Sequence, residues 1–175
     1  YAAAVTDNLR AACAKSGARY ERLLRPALPY QNCEIVLDTA AAVDWLNAHE
    51  GAVLLTTGSK ELEAYTAVQD FQTRLFPRVL PTASVLEKCA ALGFPGAHII
   101  AMQGPFSQTM NAALLRETGA KILVTKDTGV SGGFAEKVAA DEEVGAKVLV
   151  IARPRVENGK NQVEMQEFLT DLLGL

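Results

Sequence analysis

Residues 98–137, HIIAMQGPFSQTMNAALLRETGAKILVTKDTGVSGGFAEK, decide how this chain folds. The stretch reads as strand, loop, helix, strand, loop, helix. HIIAM and ILVT are short runs that are apolar on both faces, as strands buried between two helical layers must be. Phe106, Met110 and Leu114 recur at helical spacing, and Gly119 closes that helix. The loops QGPFS (103–107) and KDTGVSGG (126–133) each follow an apolar run, and each opens a helix. Ligands of parallel α/β proteins sit outside the carboxyl ends of the strands, so these two loops are the first place to look for a site.

The same alternation extends in both directions. Upstream, Ala52–Thr57 is a short apolar strand, followed by Gly58-Ser59-Lys60 and a helix through about Phe71. Arg78–Leu80 is a strand between prolines. Ser84 with Glu87 three residues on predicts a capping box, and Gly93 closes the helix. Downstream, a helix over Phe134–Val144 ends at Gly145, and Lys147–Ala152 is the last strand. About five strands at roughly 20–25-residue spacing imply right-handed crossovers and an α/β fold with a doubly wound parallel sheet.

Before this array the pattern is looser. Tyr1–Ser16 reads as an Ala-rich helix already under way, with Ala4, Leu9, Ala12 and Cys13 near one face; that start implies a truncated chain. Ala18–Leu24 alternates as a strand. The proline-bearing stretch from Arg25-Pro26 to Pro29 is the expected domain boundary. Cys33–Leu37 is a further short strand. Asp38 or Thr39 caps a helix to about Glu50 that turns Val43 and Leu46 inward, with Trp45 beside them. Glu157–Gln162 reads as an exposed connection, and Val163–Leu173 as a terminal helix.

Composition narrows the function classes. The chain has 175 residues, 49% apolar and 21% charged, enough for one domain or one domain plus part of another. The net charge of −3, with no basic run, argues against a nucleic-acid partner. No apolar run approaches the roughly 20 residues of a membrane helix. Cys13, Cys33 and Cys89 share no metal or redox spacing, so they read as reduced, mostly buried thiols in a cytoplasmic protein. No metal role is assigned to His49 or His98.

One edge of the sheet collects Gly58, Ser59 and Lys60; Thr82; Gln103, Gly104, Pro105, Phe106 and Ser107; Lys126, Asp127, Thr128, Gly129, Gly132 and Gly133; and Arg153-Pro154. Glycines there let backbone N–H groups approach a ligand, and the helices that follow present N-termini that favour anions. Lys60, Lys126 and Arg153 add positive charge. Each loop also has a plain structural reading: a turn with an N-cap at Gly58-Ser59, helix pre-organisation at Pro105, an ion pair at Lys126-Asp127. Neither a P-loop nor a G-x-G-x-x-G occurs. The residues alone define an α/β domain with an anion-tolerant site along its strand ends.

At these loops the sequence resembles the precorrin-6A reductase family of cobalamin biosynthesis. The resemblance rests on LLTTGSKEL (54–62), RVLPT (78–82), IIAMQGPFSQTMNAALL (99–115), ILVTKDTGVSGGFAEKVAA (122–140) and VLVIARP (148–154). YAAAVTDNLRAAC (1–13) and LLRP (23–26) also look like the family's middle region. It implies a reductase that uses NADPH, or NADH, to reduce a macrocycle double bond in precorrin-6A or its cobalt-containing analogue. It implies two Rossmann-like halves, with residues 1–30 the tail of the first and 31–175 the second. The family's first half opens on a strand and a loop of GGTxE type, which nothing here matches.

On this resemblance Gly58, Ser59, Lys60, Gln103–Ser107, Thr128, Gly129, Gly132 and Gly133 are the expected cofactor contacts. Lys126 or Asp127, or water, supplies the proton, and Arg78, Arg153 and Arg155 meet the carboxylates of the tetrapyrrole. A second class, a non-catalytic ligand-binding or regulatory α/β domain, fits the same fold.

Overall fold

A computed structural model describes residues 3–24, 33–127, 133–152 and 159–174. The chain divides into two compact units, Leu28–Pro154 and a smaller one made of Tyr1–Ala27 with Arg155–Leu175. The boundary expected between Arg25 and Pro29 lies outside the described residues.

The larger unit holds a six-stranded sheet in the order β1-β6-β5-β2-β3-β4, every neighbouring pair parallel. Its strands are β1 (Cys33–Val36), β2 (Ala52–Leu55), β3 (Leu75–Val79), β4 (Ile100–Ala101), β5 (Ala120–Lys126) and β6 (Lys147–Ile151). The helices are α2 (Thr39–Asn47), a single turn α3 (Phe71–Arg74), α4 (Ala83–Ala91), α5 (Gln108–Thr118) and α6 (Phe134–Val144). The sheet is doubly wound, as expected, and Cys33–Val36 joins it as a sixth strand at the β6 edge.

The period-2 rule divides the core between the two faces. Val53, Leu55, Ile122, Val124, Leu149 and Ile151 pack with Ala42, Val43 and Leu46 of α2, Leu62 and Tyr65, and Cys89 of α4. Leu54, Leu123, Val148 and Val150 point the other way, against Ala112 and Leu115 of α5 and Phe134 and Ala140 of α6.

Local chemistry sets the element ends. The Asp38 carboxylate accepts from the Ala41 N–H (2.8 Å) and caps α2. At the other end of α2, Arg74 donates to the carbonyls of Leu46 (3.1 Å), His49 (2.6 Å) and Gly51 (3.1 Å), a cation placed where the helix dipole is negative. Arg74→Ala removes all three of these donations together. It is expected to lower unfolding free energy by about 2–3 kcal/mol, read as a lower urea midpoint with an unchanged slope.

Several details differ from the sequence reading. Phe106 precedes α5, which begins at Gln108, and Met110 on that helix is exposed, so the expected Phe106/Met110/Leu114 stripe does not form. The segment after Lys60 is not one helix to Phe71 but a 3₁₀ stretch, Leu62–Ala67, followed by α3. β3 begins earlier than expected, at Leu75. The Ser84/Glu87 capping box does not form, because Thr82 is the N-cap of α4 and Ser84 already lies inside the first turn. Ala18–Leu24 is not a strand; only Leu23 pairs, in an isolated parallel bridge to Lys160.

In the smaller unit, α1 (Ala3–Ser16) precedes that bridge and α7 (Gln162–Leu173) follows it. α1 buries Thr6 rather than Leu9, and Arg22 donates to the Thr6 hydroxyl (2.6 Å). Glu21 accepts from Lys160 and from Arg19 (2.9 Å), which in that order hold its carboxyl below the usual range. Gly159 must be glycine, since a Cβ there would lie 2.6 Å from the Arg22 carbonyl oxygen. Asn161 and Glu164 form a capping box on α7. Among the described residues no helix is long and apolar enough to cross a membrane.

Candidate functional site

The strand order reverses between β5 and β2. The connection from β2 runs outward to β3, and that from β5 runs the other way to β6. A crevice opens at such a switch point, outside the carboxyl ends of the two strands. The loops that begin there are Thr56–Glu61 and the segment from Lys126.

Thr56 extends the β2–β5 pairing, its N–H and its hydroxyl both donating to the Val124 carbonyl at 2.8 Å. Gly58 then takes φ +78, the left-handed region, and no heavy atom lies within 4 Å of where its Cβ would be. The backbone is therefore open beside the crevice. Lys88 of α4 holds the next turn, donating to the carbonyls of Ser59 (2.9 Å) and Lys60 (3.3 Å). Tyr65 is fully buried beneath this loop, and burial pushes its phenol up to about 12.

At the end of β5 the Lys126 ammonium lies 2.9 Å from Glu61. The same carboxylate oxygen accepts from the Thr39 hydroxyl. Partial burial works to raise the Glu61 carboxyl, but the bonds from Lys126 and Thr39 outweigh it and the net shift is downward. Three strand-end segments, after β1, β2 and β5, thus meet at one carboxylate. Asp127 is buried and continues the ladder, its N–H donating to the Ile151 carbonyl (3.0 Å).

The QGPFS loop leaves β4 after the Met102 N–H donates to the Val79 carbonyl (3.0 Å). Gly104-Pro105 is a cis peptide. Ser107 is the N-cap of α5, its hydroxyl accepting from the Met110 N–H (3.2 Å). Arg78, expected in contact with substrate, is only 7% exposed. Its guanidinium stacks 4.0 Å from the Phe106 ring centre and donates to Asn111 (2.7 Å). Burial lowers it to about 10.

Gly58, Ser59, Lys60, Gln103–Ser107, Lys126, Asp127 and Gly133 thus lie at the carboxyl edge, with Gly133 opening α6 at φ +65. Thr128, Gly129, Gly132, Arg153 and Arg155 lie outside the described residues. The histidines are used locally: His49 stacks on Trp45 at 3.7 Å and His98 on Phe76 at 4.1 Å.

Sequence reasoning missed Thr39, Glu61, Lys88, Asn111 and Lys137. Asn111 and Lys137 left a signal, since each interrupts the apolar stripe of its helix. Lys137 is 6% exposed, donates to the Thr125 hydroxyl (3.1 Å) and is pushed down to about 8, by burial first and by the charge of Arg78 second.

Fold and edge together define a class: a doubly wound parallel α/β domain with a polar, glycine-bearing site at its topological switch point. Residues 1–172 match the model of the family described as precorrin-6x reductase CbiJ/CobK, and the chain belongs to that family. It is 36% identical to the cobalt-precorrin-6A reductase of Priestia megaterium over 157 residues, covering 89% of this chain and 61% of that one. With the enzyme of the same name from Salmonella typhimurium it shares 39% over 160 residues, 88% of this chain and 60% of that one. The solved structure of CobK precorrin-6A reductase superposes with a TM-score of 0.76 at 25% identity, over 99% of this chain and 69% of its own. The chain therefore spans about 60% of the length of these two curated relatives.

Proposed function

We propose that this chain is the C-terminal part of a reductase that uses NADPH, or NADH, to add two hydrogens across a macrocycle double bond of precorrin-6A or cobalt-precorrin-6A. Family membership over residues 1–172 and the printed names of the relatives support this reading. The observation that carries it is the meeting of the Gly58 turn, Glu61 and Lys126 at the switch point between β2 and β5. Residues 1–30 belong, on this proposal, to the tail of a preceding Rossmann-like half. The compact association of Tyr1–Ala27 with Arg155–Leu175 supports a second body at that point of the chain.

The nicotinamide supplies a hydride when bound. The open backbone beside Gly58 fits a cofactor phosphate, and Ser59, Lys60, Gln103, Gly104, Pro105, Phe106 and Ser107 complete that side of the cleft. Thr128, Gly129 and Gly132 are assigned to the cofactor, with Gly133 at the start of α6, on the sequence resemblance. Reducing a carbon–carbon double bond also requires a proton at the second carbon. Lys126 delivers it, its ammonium held at the strand end by Glu61 (2.9 Å), with Asp127 the neighbouring carboxyl. Lys60, Arg153 and Arg155 meet the carboxylates of the tetrapyrrole. Each pair at an open cleft contributes only about 0–1 kcal/mol, so several act together.

Calorimetric titration of NADPH, then NADH, into the 175-residue chain tests the assignment. Micromolar binding is expected, weakened in Lys126→Ala. Wild-type affinity in Lys126→Ala would count against the loops named here.

A further inference from the structure

We infer that Arg78 is a positioning residue, which fixes the QGPFS loop by holding Phe106 by its ring face and Ser107 through Asn111. Its functional consequence rests on the reductase reading above. The circuit can be followed atom by atom. The guanidinium carbon lies 4.0 Å from the Phe106 ring centre. Nη1 donates to Asn111 Oδ1 at 2.7 Å, and Asn111 Nδ2 donates to the Ser107 carbonyl at 2.9 Å. The Ser107 hydroxyl in turn caps α5. Phe106 folds back over Gly104, where a Cβ would lie 2.9 Å from the ring. Both flanks of the loop are therefore tied to one guanidinium on β3, and Gln103 is left exposed.

The cost of this arrangement marks it as more than packing. A buried guanidinium is expensive unless it is paired with an anion. Among the described residues no carboxylate pairs with Arg78; its hydrogen-bond partner is a neutral amide, itself fully buried. Asn111 stands among Ala112 and Leu115 on the buried side of α5, where an aliphatic residue would fill the space without polar atoms to satisfy. A planar group can stack on a ring and donate in its own plane at once, which a lysine ammonium cannot. The pair Arg78–Asn111 is explained by the loop geometry that it enforces. Arg78 acts on a ligand through Phe106 and Ser107 rather than by touching it.

The test uses the full-length protein, with Arg78→Met, Arg78→Lys, Phe106→Leu and the double variant R78M/F106L. Amide exchange over residues 103–107 is followed alongside kcat and KM for NADPH-dependent reduction. Both Arg78 variants are expected to speed exchange there about tenfold or more while residues 120–126 stay unchanged. They are expected to lower kcat by about 10–100-fold with KM within about threefold, since a misplaced loop costs orientation. Phe106→Leu produces the same pattern even if Arg78→Met folds poorly, and combining the two adds nothing further. Wild-type exchange in Arg78→Lys, with a raised KM in Arg78→Met alone, would overturn the inference and make Arg78 a charge contact. Additive effects in the double variant would overturn it too. Absence of NADPH-dependent turnover in the wild type sinks the reductase reading instead, and the exchange pattern still decides the positioning role.

Discussion

Replacing Asp141 by Asn is expected to remove a fall in stability that the wild-type protein undergoes between about pH 4 and about pH 7. Asp141 is 1% exposed on the sheet side of α6, and neither carboxylate oxygen has a hydrogen-bond partner among the described residues. Burial raises its carboxyl from 3.8 to about 7, and the charge of Lys137 offsets only part of that. Within this window the folded state keeps a proton that the unfolded state has released. Unfolding free energy therefore drops as pH rises, at up to about 1.4 kcal/mol per pH unit and on the order of 4 kcal/mol in all. The buried neighbour gives the opposite limb. Lys137 falls from 10.5 to about 8, so above pH 8 the unfolded state binds more protons and stability climbs again. Cys33, raised by burial and then by the charges of Asp141 and Glu142, faces the same carboxyl from β1. Urea denaturation from about pH 4.5 to 9.5 should show a minimum near pH 7–8 in the wild type. Asp141→Asn should flatten the acid limb, and Lys137→Met the alkaline one. An acid limb in Asp141→Asn parallel to that of the wild type would mean that another group is its source.

The sheet was legible because its signal is local. Runs such as VLLTT and VLVIA alternate their core contacts between two helical layers, and the glycines after each helix mark its end. Strand order was not legible, because it depends on pairings such as Cys33 with Val148, far apart in sequence. Ala18–Leu24 misled for a related reason. Its alternation is real, but the segment it pairs with turns into the α7 cap at Asn161 immediately after Lys160, so only Leu23 finds a strand neighbour. At the site, the edge was readable from loops that follow apolar runs. Burial of charge was not. Arg78 on β3 is covered by Phe106, from the loop after β4, and nothing near Arg78 in sequence announces that cover. Lys137 and Asp141, four apart, look like an ordinary solvated helical pair. Only the docking of α6 on the sheet turns them inward.

Lys126→Met in the full-length protein is expected to cut turnover by about 10²–10⁴-fold, the usual worth of a positioned proton donor, while leaving stability almost unchanged. The second half of that expectation follows from exposure. The side chains of Lys126 and Glu61 are 26% and 45% exposed, and a pair of that kind adds at most about 1 kcal/mol. Stability alone is thus a weak reason for the contact. Geometry gives a better one. Glu61 Oε2 receives both the ammonium and the Thr39 hydroxyl, so the carboxylate is itself held, and it fixes where the ammonium sits relative to the Gly58 turn. Glu61→Gln keeps the shape, removes the charge and should lower kcat about tenfold with little change in KM, because orientation rather than binding is lost. A purely structural pair would behave differently: both variants would lose a similar, small amount of activity in step with any loss of melting temperature. A large kcat effect at Lys126 and an intermediate one at Glu61, with coincident melting curves, would place the proton donor on β5 and its positioning carboxylate on the loop after β2.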